Sequence, residues 1–287
     1  MRTFGMEVEC IHDSPRTVVD AINAAIAAAR QREELVTARP FAAKYTRRFE
    51  PNGIAVDEEE CGIECRLPPL TLEEWPLVPI VLRTLRECGA TVRRSNGGHM
   101  HLGWQDVPEA VRSRYAATWV GTWNVFDTVL RRLVARSRRN NPNCTSGDLN
   151  DWAHMEQTLF ARTTEQLQQA MSSSGYYFGR EWVGNAMVAY KNDFQTTEVR
   201  LHHATLNPRR WKYWAVLMNG LMDFSAAMSR ENTVNPLRRA RTTLQAFASE
   251  DWAGKAAFML SLVRPHVSLR RYNGLLRQTN ERLTTYN

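Results

Sequence analysis

Residues 196–202 read Thr196-Thr197-Glu198-Val199-Arg200-Leu201-His202. Polar and apolar residues alternate along this segment, a pattern typical of a β-strand. Residues two apart in a strand lie on the same face, roughly 6.6 Å from each other at ~3.3 Å of rise per residue. We therefore expect Glu198 and Arg200 to share one face, and Val199 and Leu201 to share the other.

Three further segments present charged or imidazole groups with the same period of two. They are Glu7-Val8-Glu9, Ile63-Glu64-Cys65-Arg66 and His99-Met100-His101. If these strands belong to one sheet, their polar groups converge on one surface. Clustered carboxylates repel one another unless a positive charge lies between them. A divalent cation meets this need: oxygen ligands suit Mg²⁺, and an added imidazole favours tolerance of Mn²⁺.

Each segment also has an ordinary structural interpretation. A lone Glu-x-Glu on a strand is usually a solvent-facing edge, and a lone Glu-x-Arg is most often a surface pair worth at most about 1 kcal/mol. Their co-occurrence with flanking glycines, Gly5 and Gly97-Gly98, favours a binding site, because glycine lets the backbone approach a ligand closely.

The composition is that of an ordinary globular chain. Of its residues, 43% are hydrophobic and 23% are charged. Its length of 287 residues allows one large domain, or one domain with an appended helical part. The net charge of +7 favours an anionic partner such as a nucleotide or phosphate. We expect a cytoplasmic protein with no membrane partner, because no apolar run is long enough to span a bilayer and Glu7 and Glu9 interrupt any signal-peptide pattern.

The 5 cysteines are predicted to be reduced and mostly packed, since an odd number leaves one unpaired in any disulfide framework. Cys61 and Cys65 have the spacing of half a zinc site, but no second close pair follows.

Local patterns predict a strand over 2–10, a helix from Pro15 to about Glu33 and a second helix from Thr71 to about Cys88, broken or kinked by Pro79. Asn52-Gly53 predicts a two-residue hairpin. A long helix is predicted from Pro108 to about Arg138, with a core-facing stripe. The stripe residues are Trp119, Trp123, Phe126, Leu130 and Leu133.

The chain after Asn207-Pro208 is predicted to be helical. An arginine cluster closes the long helix at Arg131, Arg132, Arg136, Arg138 and Arg139. We interpret it as a solvated helix end that complements the C-terminal dipole, with a phosphate or nucleic-acid contact as the alternative.

The ordered set of motifs resembles the amidoligase family, which belongs with the glutamine synthetase and glutamate–cysteine ligase superfamily of carboxylate–amine ligases. The motifs are Phe4-Gly5-Met6-Glu7-Val8-Glu9, Gly62-Ile63-Glu64-Cys65-Arg66-Leu67-Pro68-Pro69, Gly98-His99-Met100-His101-Leu102-Gly103, Thr197-Glu198-Val199-Arg200-Leu201 and Thr205-Leu206-Asn207-Pro208. Each motif is short, and the order of the set carries the resemblance, over about residues 2–215.

The resemblance implies an α+β fold with a curved antiparallel sheet of the glutamine synthetase-like catalytic type, flanked by helices and followed by a helical C-terminal region. It implies a catalytic region over 1–210 and a helical region over 211–287 packed on it as one continuous domain.

The resemblance also implies roles for individual residues. The metal ligands would be Glu7, Glu9, Glu64, His99 and Glu198. His101 would contact phosphate, and Arg200 would hold the transferring phosphoryl group. Asn185 lies where the family often has an asparagine, and we assign it to cofactor binding.

Two positions depart from the family pattern. The family often has Asp-Gly before the Glu64-type strand, whereas this chain has Asn52-Gly53. The metal-binding acid usually supplied there therefore comes from Asp57 or Glu60, or is absent. Cys65 is bulkier and less polar than the residue that the family pattern leads us to expect.

The implied function is that of an ATP- and Mg²⁺-dependent ligase that joins a small-molecule or peptide carboxylate to an amine through an acyl phosphate. Two other classes remain open. One is a hydrolase in which His99, His101 and a carboxylate hold Zn²⁺ or Mn²⁺ and activate water. The other is a basic nucleic-acid-binding protein. Nucleic acid is compatible with the ligase as a partner but is not required by it.

Overall fold

The structure is a computed structural model. It describes residues 3–48, 50, 52–60, 62–104, 107–108, 111–139, 159–161, 163, 165–166, 169, 184–185 and 196–286, with backbone alone at 112–113 and 184–185. The chain forms two compact units, described separately below. The first comprises Met1–Gly103 and His202–Lys212, and the second comprises Trp104–Leu201 and Tyr213–Asn287.

The first unit contains strands and helices in the order β1 (Phe4–Cys10), α1 (Pro15–Gln31), β2 (Ala42–Tyr45), β3 (Gly53–Glu59), β4 (Gly62–Leu70), α2 (Leu77–Glu87) and β5 (Gly98–Gly103). Its strands pair in the order β2-β3-β4-β1-β5. Strand β1 is antiparallel to both β4 and β5, and β3 is antiparallel to β4. The short strand β2 is parallel to β3.

One face of β1 is apolar and buried. The apolar side chains occupy the even-numbered positions of this strand, and these positions point to the same side. Phe4, Met6, Val8 and Cys10 have essentially no exposed surface. Helix α1 contributes the buried Val18, Ile22 and Ile26. The acids of β1 are therefore displayed on the opposite face of the strand.

Helix α1 begins where the sequence predicts. The hydroxyl of Ser14 accepts a hydrogen bond from the amide of Thr17, and Pro15 occupies the first helical position, where its missing N–H has no partner to lose. The side-chain amide of Asn23 then pairs with both backbone groups of Ala43, donating at 3.0 Å and accepting at 2.7 Å, so the helix supplies partners to the short strand β2.

The predicted hairpin at Asn52-Gly53 is wrong. A two-residue hairpin joins antiparallel strands, but Ala42 pairs with Gly53 and Tyr45 with Val56 in parallel register. The segment between β2 and β3 must run back along the sheet, and its last turn is closed by a hydrogen bond from the Gly53 amide to the Glu50 carbonyl. Asn52 instead accepts a hydrogen bond from Arg39.

Helix α2 starts at Leu77 rather than at Thr71. Pro79 therefore lies in the first turn, where no intrahelical N–H bond is required, and the predicted kink at this proline does not arise.

The second unit is mainly helical. Its elements are α3 (Arg112–Arg132), α4 (Arg136–Arg139), β6 (Gly184–Asn185), β7 (Thr196–Val199), α5 (Pro208–Arg230, whose first residues belong to the first unit), α6 (Asn235–Ala246), α7 (Trp252–Val263) and α8 (Leu269–Tyr286). Helix α3 contacts α6, α7 and α8. The stripe predicted to face the core does so: Trp119, Trp123, Phe126, Leu130 and Leu133 are all buried.

The prediction of an α+β fold is confirmed in its coarse form, since an open, mixed sheet is flanked by helices. The purely antiparallel sheet is wrong at β2. The division into 1–210 and 211–287 stays a prediction. In the described part of the chain, none of the helices is both long enough and apolar enough to cross a bilayer.

Three of the cysteines, Cys10, Cys65 and Cys88, are free thiols, as predicted. Burial raises the pKa of Cys10 to about 12. Cys61 and Cys144 lie outside the described residues.

Candidate active site

The polar face of the sheet in the first unit gathers the predicted metal ligands around β1. Glu9 lies directly opposite Glu64 of β4, and Glu7 lies directly opposite His99 of β5. Directly paired residues in antiparallel strands have Cβ atoms about 4.5–5.5 Å apart on the same face. The period of two within each strand and the register between strands together bring these side chains to one place.

Glu9, Glu64 and His99 form a compact group within the first unit. Each offers one ligand atom, and these atoms all lie within 4.8 Å of one another. Glu64 and His99 are buried, with 7% and 6% of their surface exposed. Like charges placed directly opposite each other destabilise a sheet, so this pair favours either a cation between the two groups or a proton on one of them.

Glu7 joins the two histidines. One of its oxygens lies 3.0 Å from His99 Nδ1 and the other 3.2 Å from His101 Nε2. Burial alone would raise the pKa of Glu7, but the charge and hydrogen bonding of His101, followed by those of His99, outweigh it and hold that pKa well below its usual range. Glu7 is therefore an ionised carboxylate at neutral pH.

Gly97 supports the group from the turn before β5. Its amide donates to Glu9 Oε2 at 2.6 Å, a length typical of a charge-assisted hydrogen bond. A Cβ atom at this position would lie 2.9 Å from Glu9 Oε1 and 2.9 Å from His99 Nε2. A side chain at position 97 would therefore push Glu9 or His99 away from its present position.

Glu64 is held from its own strand by Arg66, whose Nη1 donates to Glu64 Oε2 at 2.8 Å. Burial, together with the charge of Glu7, raises the pKa of Glu64 to about 8 despite the opposing charge of Arg66. Asp57, one of the acids considered as a substitute ligand, lies directly opposite Glu64 on β3 and accepts a hydrogen bond from Arg47 at 3.2 Å. Glu60, the other, is exposed.

The second unit contains the Glu-x-Arg strand. Arg200 Nη1 lies 2.5 Å from Glu198 Oε1, and the Glu198 side chain is 8% exposed. The backbone of Asn185 pairs with that of Glu198, while the side chain of Asn185 lies outside the described residues.

A comparison with known families decides the assignment of the chain. The family model described as "Putative amidoligase enzyme" matches residues 1–222. The chain belongs to this amidoligase family. A search of curated proteins finds no match.

Membership of the amidoligase family supports a ligase-type enzyme that acts on a carboxylate and an amine. The matched region contains every predicted site residue from Glu7 to Arg200. Glu7, Glu9, Glu64, His99 and His101 come together in the first unit, and Glu198 and Arg200 form a pair in the second. Their roles as metal, phosphate or cofactor ligands stay predictions.

Sequence reasoning found the acids and histidines but missed two supporting groups. The Gly97 amide carries no side-chain signal, and only the flanking glycines pointed to it. The sequence shows Arg66 as part of a second Glu-x-Arg motif. Only the structure shows that Arg66 pairs with a buried Glu64.

The arginine cluster at the end of α3 is less solvated than predicted. Arg138 is 2% exposed and donates to the carbonyl of Arg200 at 2.7 Å, and Arg131 pairs with Asp127 at 2.8 Å. Arg136 is exposed and fits the predicted solvated helix end. The buried Arg138 thus joins α4 to the residue that follows β7.

Proposed function

We propose that this member of the amidoligase family is an ATP-dependent carboxylate–amine ligase that uses Mg²⁺ and tolerates Mn²⁺. The observation that carries the proposal is the group formed by Glu9, Glu64 and His99, whose ligand atoms lie within 4.8 Å of one another. We further propose that the sheet is of the glutamine synthetase-like type.

The donor set fits a divalent ion. Two ligand atoms on opposite sides of Mg²⁺ are about 4.2 Å apart at ~2.1 Å per bond, so the observed group needs only small side-chain shifts. Because Gly97 has no Cβ, the side chains of Glu9 and His99 can both lie against it. Carboxylate oxygens with one imidazole are typical of Mg²⁺ and Mn²⁺ sites and less so of structural zinc sites.

Glu9, Glu64 and His99 would hold the ion, with Glu7 and Glu198 as the further ligands that the family resemblance assigns. Such an ion would supply positive charge that stabilises the transferring phosphoryl group. Glu7 also orients His99 and His101 through its two oxygens, which fixes the direction in which each imidazole points.

The proposed reaction has two steps. An oxygen of the substrate carboxylate attacks the γ-phosphorus of ATP, the bond to the bridging oxygen breaks, and ADP leaves. The amine then attacks the acyl carbon, phosphate leaves, and a proton passes from the amine to a base. The sum is an amide or peptide bond, ADP and phosphate.

We assign the phosphate oxygens to His101 and Arg200, with Asn185 as a further contact to the nucleotide. A guanidinium offers two parallel donors to a phosphoryl group. The positive charge of the guanidinium favours this assignment, because a triphosphate is strongly negative.

The test is release of ADP that requires both a carboxylate and an amine, screened over amino acids, polyamines and peptides. Glu7→Gln and Glu198→Gln are expected to abolish it, while Glu281→Gln, an exposed acid of α8, should turn over like the wild type. Full turnover by both site variants would exclude the proposed site.

Two outcomes would instead favour the other classes. Turnover of a substrate by the zinc-bound protein, in the absence of any nucleotide, would indicate a hydrolase. Nucleic-acid binding that falls steeply with salt, without any ATP turnover, would indicate a binding protein.

A further inference from the structure

The turn that precedes β5 is held by a segment that follows the Glu-x-Arg motif in sequence. The Gly98 amide donates to the His202 carbonyl at 3.0 Å, and the Ala204 amide donates to the Asn96 carbonyl at 3.0 Å. Gly97 and His203 form an antiparallel bridge between these two hydrogen bonds. Residues 202–205 and 96–98 therefore form a short two-stranded clamp within the first unit.

Trp211 closes this clamp from the first turn of α5. Its ring has no exposed surface. A Cβ atom placed on Gly98 would lie 2.7 Å from the six-membered part of the ring, so the indole packs directly on the Gly98 backbone. The Trp211 Nε1–H group donates to the Thr205 carbonyl at 2.8 Å, which fixes the ring along the segment that it covers.

A stack of rings continues from Trp211. The centroid of the buried His202 ring lies 4.7 Å from that of Trp211, and His203 stacks on His202 at 5.1 Å with an interplanar angle of 3°. The rings of His202 and His203 thus extend the packing around Trp211 along the segment that holds the turn.

The turn held in this way supplies two parts of the candidate site. Gly97 donates its amide to Glu9 at 2.6 Å, and His99 follows Gly98 directly in β5. A shift of the 96–98 backbone by a few tenths of an ångström would lengthen the first contact and move the imidazole.

We infer that Trp211 is a positioning residue for the metal ligands: by packing on Gly98 it seats the turn that directs the Gly97 amide to Glu9 and sets the position of His99. This inference rests on the proposed function, because it assumes that Glu9 and His99 bind a divalent ion. Groups that orient metal ligands typically change metal affinity by about 10–100-fold when removed.

The first experiment measures Mn²⁺ affinity by titration of the full chain, well below the unfolding temperature. Trp211→Leu is expected to weaken Mn²⁺ binding about 10-fold or more. The matched control is Trp119→Leu, which removes another tryptophan with no exposed surface from α3. Both variants should lower the melting temperature, and only the Trp211 variant should lose Mn²⁺ affinity.

The outcomes separate the inference from the function on which it rests. If the wild type binds Mn²⁺ and Trp211→Leu binds it equally well, or if Trp119→Leu loses as much affinity, the positioning role is wrong and the metal site stands. If the wild type binds no Mn²⁺, the proposed metal-dependent function is wrong and the inference goes with it.

A second experiment covers the case in which Trp211→Leu does not fold. Gly98→Ala drives a methyl group into the Trp211 ring and should weaken Mn²⁺ binding, because the turn must move. Combining Gly98→Ala with Trp211→Phe should recover part of the Mn²⁺ affinity, because the smaller phenyl ring leaves room for the added methyl group. Wild-type affinity in the Gly98→Ala variant, or no recovery in the double variant, would overturn the inference.

Discussion

Two Glu-x-Arg pairs in this chain have nearly the same local geometry. In the first unit, Arg66 lies 2.8 Å from Glu64, and in the second, Arg200 lies 2.5 Å from Glu198. Both arginine side chains are 19% exposed, and the glutamates are 9% and 8% exposed. The i, i+2 spacing of a strand accounts for this likeness, because it places both side chains on one face.

The surroundings of the two pairs differ. Glu64 has a carboxylate directly opposite on each side, Glu9 on β1 and Asp57 on β3. Arg66 Nη2 donates to the carbonyls of Thr46 and Arg47 at 3.3 and 3.1 Å.

Arg200 differs from Arg66 in its backbone contact. The carbonyl of Arg200 accepts a hydrogen bond from the side chain of Arg138, whereas the side chain of Arg66 donates to backbone carbonyls. The comparison teaches that a two-residue motif forms the pair, while the neighbouring chain segments decide its chemistry. Arg66 donates to two backbone carbonyls as well as to Glu64, and the role of Arg200 towards the substrate stays a prediction.

The largest expected effect separates the two arginines by turnover. Arg200→Ala should lower kcat by roughly 10³-fold, the scale found for arginines that neutralise a transferring phosphoryl group. Arg66→Ala should leave kcat at saturating metal within about 10-fold, because metal occupancy is then restored by mass action. The measurement is steady-state ADP release, and equal losses in kcat for the two variants would contradict the distinction.

The next effect concerns metal affinity. Arg66→Met removes the donor that orients Glu64, and the Mn²⁺ dissociation constant should rise about 10-fold or more. Arg39→Met is the matched control in the same unit, since Arg39 also joins an acid, Glu74, to a backbone carbonyl. Unchanged Mn²⁺ affinity in the Arg66 variant would show that Glu64 needs no such support.

A third prediction uses the raised pKa of Glu64, about 8. Above the unfolded-state value of about 4.5 the unfolded chain loses this proton while the folded chain keeps it, so stability falls as pH rises to about 8. Glu64→Gln should flatten this decline, by an amount on the order of 1 kcal/mol or more. Denaturant unfolding at several pH values with a chelator present measures the slope.

Glu7 provides the internal contrast for that experiment. Its lowered pKa adds stability that is present above the unfolded-state value and is lost only as the pH falls below about 4.5. Glu7→Gln should therefore change the acid limb. It should also shorten the decline towards pH 8 without removing it, because burial is the larger cause of the raised pKa of Glu64. A decline towards pH 8 that persists unchanged in Glu64→Gln would assign it to another group.

The smallest effect is expected at Arg47, which pairs with Asp57 at 3.2 Å while its own side chain is 80% exposed. Exposed ion pairs contribute little to stability, so Arg47→Ala should leave the free energy of unfolding nearly unchanged. Arg138→Met, which removes a 2% exposed donor, should cost more, about 1–3 kcal/mol. Urea unfolding compares them, and the reverse order would show that exposure does not govern the contribution of these arginines.

Local sequence patterns predicted the structure correctly where that structure depends on residues close together in the chain. Strand alternation placed Glu7 with Glu9 and His99 with His101, and the 3.6-residue period identified the buried stripe of α3. The same local logic failed at Asn52-Gly53, because the parallel pairing of β2 with β3 depends on the route of the intervening chain and not on the dipeptide. It also failed at Arg138, whose burial depends on α4 and the end of β7.

The sequence by itself determined the family, the α+β class and the identity of the acids and histidines, since these follow from residue type and from spacing along one strand. Only the tertiary structure decided that Glu9 faces Glu64, that the Gly97 amide reaches Glu9, and that Trp211 packs on Gly98. Each of these contacts joins residues far apart in the chain, and register and packing between distant segments are set by the burial of a shared core, which no single segment encodes.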